Sequence, residues 1–184
     1  LNAHDFCLKL QAGETFTSPA IICGYSNSGF ETMSHNLHNF AKDFILRAGL
    51  RPVLYNSWEA TEFGVTCEEQ KKLAKKAQEL GAELFVVDDG WFGERNDDYR
   101  GLGDWYPNTN KLPRGISGLS KKVNDLGLNF GLWIEPEMVN KDSELYRNYP
   151  DWIISTPNRS DSHGRNQYVL DFSNPEVVDY IYEM

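Results

Sequence analysis

Apolar and polar positions alternate over residues 6–23, with Phe6, Leu8 and Leu10 on one face and Glu14–Cys23 following an Ala12-Gly13 turn. That period of two predicts strands. Residues 24–29, Gly-Tyr-Ser-Asn-Ser-Gly, break the pattern. Phe30, Met33, Leu37, Phe40, Phe44 and Ile45 then recur at helical spacing, predicting an amphipathic helix of about four turns that stops at Gly49.

From Arg51 the rhythm changes. Pro52-Val53-Leu54-Tyr55 predicts a short strand, followed by an Asn56-Ser57-Trp58-Glu59 loop. Thr66-Cys67-Glu68-Glu69 has the form of a capping box, and Leu73, Ala74, Ala77 and Leu80 give the next helix one apolar stripe before Gly81. Leu84–Val87 reads as a doubly buried strand running into Asp88-Asp89-Gly90-Trp91. Ile116, Leu119, Val123 and Leu126 mark a second helix closed by Gly127, and Phe130–Ile134 is the next strand, ending in Glu135-Pro136-Glu137. Tyr168–Asp171 predicts a further strand, and Asn174-Pro175-Glu176 a helix start with an Asn cap.

Apolar strands alternating with helices predict an α/β fold with parallel pairing. A doubly wound open sheet and a (β/α)8 TIM barrel both satisfy that pattern. The first strand is not followed by Gly-x-Gly-x-x-Gly, which counts against a dinucleotide site. Asn56, Asp88, Asp89 and Glu135 each follow the C-terminal end of a strand, where barrels carry their active sites.

Composition narrows the classes. The 184 residues carry 27 acidic and 18 basic side chains, a formal charge of −9. Without a basic stripe, that charge excludes nucleic-acid binding through backbone neutralisation. Apolar runs fall far short of the ~18 residues of a membrane span, so no membrane partner is expected. With no export signal at the start, a cytoplasmic location is predicted. Cys7, Cys23 and Cys67 form no Cys-x-x-Cys pair and read as reduced thiols; no metal or cofactor is expected. Aromatic residues reach 13% of the chain, which fits a ring-filled core or a pocket for flat apolar faces such as sugars.

Asp88-Asp89 is the strongest chemical candidate. Before Gly90 the pair reads as a solvated turn or as a metal site, and with Trp91 and Trp133 as a site for a polyhydroxylated ring. Glu135-Pro136-Glu137 offers a candidate acid, or simply glutamates paired with nearby bases. Arg165 in a loop usually means a surface charge, and His163 has no accompanying nucleophile pattern.

Asn56-Ser57-Trp58-Glu59-Ala60-Thr61, Val87-Asp88-Asp89-Gly90-Trp91-Phe92-Gly93 and Leu102-Gly103-Asp104-Trp105 resemble bacterial α-galactosidases of glycoside hydrolase family 36. Gly131-Leu132-Trp133-Ile134-Glu135-Pro136-Glu137-Met138-Val139 and Gly164-Arg165-Asn166-Gln167 with Leu170-Asp171 continue the resemblance in order. It implies a retaining exo-α-galactosidase acting on melibiose- and raffinose-type oligosaccharides, in a homo-oligomeric parent enzyme. It also implies that residues 1–25 end a β-supersandwich domain, 26–50 form a helical linker, and 51–184 begin a (β/α)8 barrel. Asp88 and Asp89 would bind the C4 and C6 hydroxyls of galactose. Trp133 would pack on the sugar, Arg165 would act near the reacting end, and Trp58 would stand at the rim. The family's Lys-x-Asp nucleophile and its acid/base have no match in the chain and are expected beyond Met184, so these residues alone are expected to be inactive. A raffinose- or stachyose-synthase-like transferase and a non-catalytic sugar-binding module remain alternatives.

Overall fold

Thr66 caps its helix as the sequence predicts: its hydroxyl accepts the Glu69 amide at 3.3 Å, and helix α3 runs over Cys67–Glu79. In the computed structural model, which describes residues 8–46, 49–156 and 163–184, the chain divides into two compact units between Leu50 and Arg51.

The first unit contains helix α1 (Gly29–Phe40), which continues as a π-helical turn over Ala41–Ile45 and buries none of its residues. The helix ends there because Leu46 turns extended, before Gly49 is reached. Residues 8–23 form no strand, contrary to their alternation. A strand needs a neighbouring strand for its amides and carbonyls, and no strand among the described residues runs beside this stretch. Phe6 and Cys7 lie outside the described residues.

In the second unit, strands β1 (Leu54–Asn56), β2 (Leu84–Val87) and β3 (Asn129–Leu132) form a parallel sheet in that order. The register pairs Tyr55 with Phe85 and Phe85 with Phe130. Parallel pairing requires crossovers, and α3 and α4 (Gly115–Asn124) supply them, each followed by a glycine of positive φ, Gly81 (85°) and Gly127 (83°). This is an α/β fold. Phe85 and Val87 are buried in one cluster with Ala74, Ala77, Leu119 and Val123. Leu84 and Val86 are only half-buried, so β2 is covered fully on one face rather than on both. Leu80 is 84% exposed because α3 has already ended at that position, and it leaves the predicted stripe. Trp58–Thr61 winds into a short helix, α2, where a loop was expected.

Of a second, antiparallel sheet of β4 (Met138–Asn140), β5 (His163–Gly164) and β6 (Gln167–Val169), ordered β4-β6-β5, the sequence predicts only a strand near β6, expected at Tyr168–Asp171. It packs with α5 (Glu144–Asn148) and α6 (Pro175–Glu183) around Val139, Leu145, Trp152, Leu170 and Val177. Asn174 caps α6 as expected, accepting the Glu176 amide at 3.0 Å. Among the described residues no helix is long and apolar enough to cross a membrane.

Candidate active site

Three parallel strands in register end at one edge of the sheet, so the residues just past them converge. Asn56 closes β1, Asp88 and Asp89 follow β2, and Trp133 follows β3, its amide donating to the Val87 carbonyl at 2.9 Å. These residues and Trp58, Glu59, Phe63, Asp98 and Arg165 line one cavity of about 610 Å³. All five residues singled out from the sequence for substrate contact therefore face the same space.

The two aspartates are held differently. Asp88 is half-buried; one carboxylate oxygen accepts the Asn56 side-chain amide and the other accepts the Asp89 amide at 2.8 Å. Its own amide donates to the Ser57 hydroxyl, and Asn56 also caps the turn into α2 by accepting the Trp58 amide. Asp89 is 3% exposed, and Arg95 grips it through Nε at 2.9 and 3.1 Å and Nη2 at 2.8 Å. A carboxylate so buried requires such a partner, and the solvated-turn reading is thereby removed for Asp89. Gly90 (φ 98°) is needed between them and the wall: a Cβ there would sit 2.8 Å from the Phe63 backbone.

Trp133 is half-buried, edge-on to Trp105 at 6.2 Å, and its carbonyl accepts the Trp91 indole N–H at 3.0 Å. Trp91 itself is 4% exposed and packs against Phe92 and Trp105, so it supports Trp133 from behind instead of facing the cavity. Trp58 stands edge-on to Phe63 at 5.2 Å. Arg165 and Asn166 occupy the two-residue turn between β5 and β6 with φ of 53° and 61°, a pattern of two left-handed residues that suits tight hairpins. Holding a non-glycine residue there is strained, a feature common at functional sites.

Two further carboxylates do other work. Asp104 accepts the Glu144 and Leu145 amides, each at 3.0 Å, and so caps α5; burial pushes its carboxyl up despite those bonds. Glu135 does not line the cavity. It accepts the Gln167 side-chain amide at 3.2 Å, and burial raises it against the opposing pull of Arg165 and that bond. Among the described residues no group of His, Cys, Asp and Glu is arranged to hold a metal ion.

A melibiase family model matches residues 15–184. This chain belongs to the melibiase family. The melibiase chain is 51% identical to the α-galactosidase AgaA of Geobacillus stearothermophilus over 187 residues, covering 100% of this chain and 26% of AgaA. It is 44% identical to an α-galactosidase of Escherichia coli, covering 95% and 25%. It thus spans about a quarter of the length of the curated relatives it matches. A GH36 AgaA variant solved with 1-deoxygalactonojirimycin superposes at a TM-score of 0.81 and 53% identity, over 86% of this melibiase chain and 23% of that one. Another AgaA variant, solved with raffinose, matches equally well.

Sequence reasoning missed Arg95, Asn140 and Phe63 in this melibiase site. Arg95 and Asn140 are both 0% exposed, a rare state for such polar side chains. The apolar pattern does not signal their burial: Arg95 pairs with Asp89 six positions away, but the bond that joins it to Asn140 spans 45.

Proposed function

We propose that these residues form the galactose-recognising part of a retaining exo-α-galactosidase that removes terminal α-D-galactosyl groups from raffinose- and melibiose-type oligosaccharides. The observation that carries this reading is the convergence of Trp58, Asp88, Asp89, Trp133 and Arg165 on one cavity at the ends of three parallel strands, in a chain of the melibiase family. Residues 51–184 are read as the first βα units of a (β/α)8 barrel, 26–50 as a helical linker and 1–25 as the end of a β-supersandwich. The unit boundary at Leu50/Arg51 supports that division. Free thiols at Cys23 and Cys67 support a cytoplasmic location.

Each carboxylate oxygen of Asp88 already accepts one donor and keeps a further lone pair for a sugar hydroxyl. In this reading Asp88 and Asp89 take the C4 and C6 hydroxyls, and Trp133 covers the apolar face of the ring. Arg165 contacts the sugar near the reacting end and Trp58 closes the rim. Retaining hydrolysis also requires a nucleophile and an acid/base about 5–5.5 Å apart. Asp104 and Glu135 bond to α5 and to Gln167, and on the family resemblance both reacting groups are assigned to other segments of the full-length protein.

The test is product analysis with the full-length protein on raffinose and p-nitrophenyl α-galactoside. Galactose and nitrophenol are expected, with none from the α-glucoside. Galactosyl transfer to an added sugar in place of hydrolysis, or binding without turnover, would replace the reading. The 184 residues alone are expected to release no nitrophenol.

A further inference from the structure

The fully buried guanidinium of Arg95 contacts two residues of the cavity wall, Asp89 and Phe63, without lining the cavity itself. Its Nε and Nη2 grip Asp89. Its Nη1 donates to the Arg100 carbonyl at 3.0 Å and to Asn140 Oδ1 at 2.8 Å. Asn140 in turn donates to the Asn166 carbonyl at 2.9 Å, in the turn that carries Arg165, and to the Asp98 carbonyl at 3.2 Å. The remaining face of the guanidinium lies 5.2 Å from the Phe63 ring centre, and Phe63 is the ring on which Trp58 rests.

We propose that Arg95 is a positioning residue for sugar binding. It fixes the Asp89 carboxylate in one orientation and, through Asn140, holds the strained Arg165 turn against the same cavity. The inference rests on the reading that Asp89 binds galactose. Only a planar fork serves here. A lysine has no second donor in the same plane and no flat face for Phe63, so Arg95→Lys keeps the charge and loses the geometry.

The alternative is that Arg95 only neutralises a buried carboxylate so that the loop folds. A double-mutant cycle in the full-length protein separates the two, with galactose as competitive inhibitor of p-nitrophenyl α-galactoside hydrolysis. Arg95→Lys is expected to weaken galactose inhibition about 10- to 100-fold, the range for losing partners that orient a binding group, with the circular dichroism spectrum retained. Asp89→Asn is expected to do the same, and the double variant to be no worse than the weaker single one. Multiplying effects, or unchanged inhibition in folded Arg95→Lys, would overturn the proposal alone. Unchanged inhibition in Asp89→Asn would overturn the sugar-binding reading of Asp89, and this proposal with it. If Arg95→Lys does not fold, Asn140→Asp decides: it keeps the acceptor for Arg95 and removes the donor to the Asn166 carbonyl. A KM raised about tenfold in the folded variant, with its circular dichroism spectrum retained, would support the link, and an unchanged KM would overturn it.

Discussion

Asp89 and Arg165 face the same cavity from very different settings. Asp89 is 3% exposed and gripped by a guanidinium that is itself 0% exposed, whereas Arg165 is exposed, on a two-residue hairpin turn whose neighbouring Asn166 carbonyl accepts from Asn140. Trp58 resembles Arg165: it is half-buried and rests edge-on against a single ring. The difference teaches where binding and folding are one problem and where they are two. In the deep wall, the partners that orient a sugar-binding group also hold the loops together. Lys111 does this as well, donating to the carbonyls of Phe63, Gly90 and Arg95 at 2.8–2.9 Å. At the rim, side chains can change with the fold intact.

The sharpest way to break this comparison is Asp89→Ala in the full-length protein. It strands a buried guanidinium, and a loss of about 3–5 kcal/mol is expected in urea denaturation followed by tryptophan fluorescence. A loss below about 1 kcal/mol would place Asp89 with the rim. Trp133 lies between the extremes. Trp133→Ala is expected to lose about 2 kcal/mol, roughly half the cost of truncating a fully buried ring. Trp133→Phe should fold normally and lose turnover, and a Phe variant of full activity would remove the residue from the site.

Smaller effects belong to the rim. Trp58→Ala is expected to raise KM roughly fivefold, an aromatic contact worth about 1 kcal/mol, at an unchanged thermal midpoint. The smallest effect concerns pH at Glu135. Its folded-state carboxyl is raised, so its contribution to stability is present at acid pH and lost as pH rises through the folded value. The thermal midpoint of Glu135→Gln relative to the parent should therefore be more favourable at pH 7 than at pH 4. The reverse order would contradict the assigned burial.

The parallel sheet was legible because its signals are local: a capping box at Thr66, glycine stops at Gly81 and Gly127, and apolar strands between them. The same locality exposed Asn56, Asp88 and Asp89 at strand ends, whereas Trp133, read as part of the strand Phe130–Ile134, lies just past β3 because that strand stops at Leu132. The antiparallel sheet was not legible, since Met138–Asn140 and His163–Gly164 are too short to show a period and find their partner only in space. Residues 8–23 illustrate the converse: an alternating pattern forms no strand without a neighbouring one. Arg95 was hidden for a related reason, because one of the partners that enclose it, Asn140, lies 45 positions away.

The most direct measurement is inhibition of Asp89→Asn by galactose and by glucose, which differ in the hydroxyl at C4. Losing a charge-assisted hydrogen bond to that hydroxyl removes about 1.5–3 kcal/mol, roughly a ten- to hundredfold rise in the galactose inhibition constant. Inhibition by glucose, whose C4 hydroxyl points the other way, should move less than about threefold. An unchanged galactose constant in the folded variant would contradict the sugar-binding assignment and leave the Asp89–Arg95 pair as a structural brace.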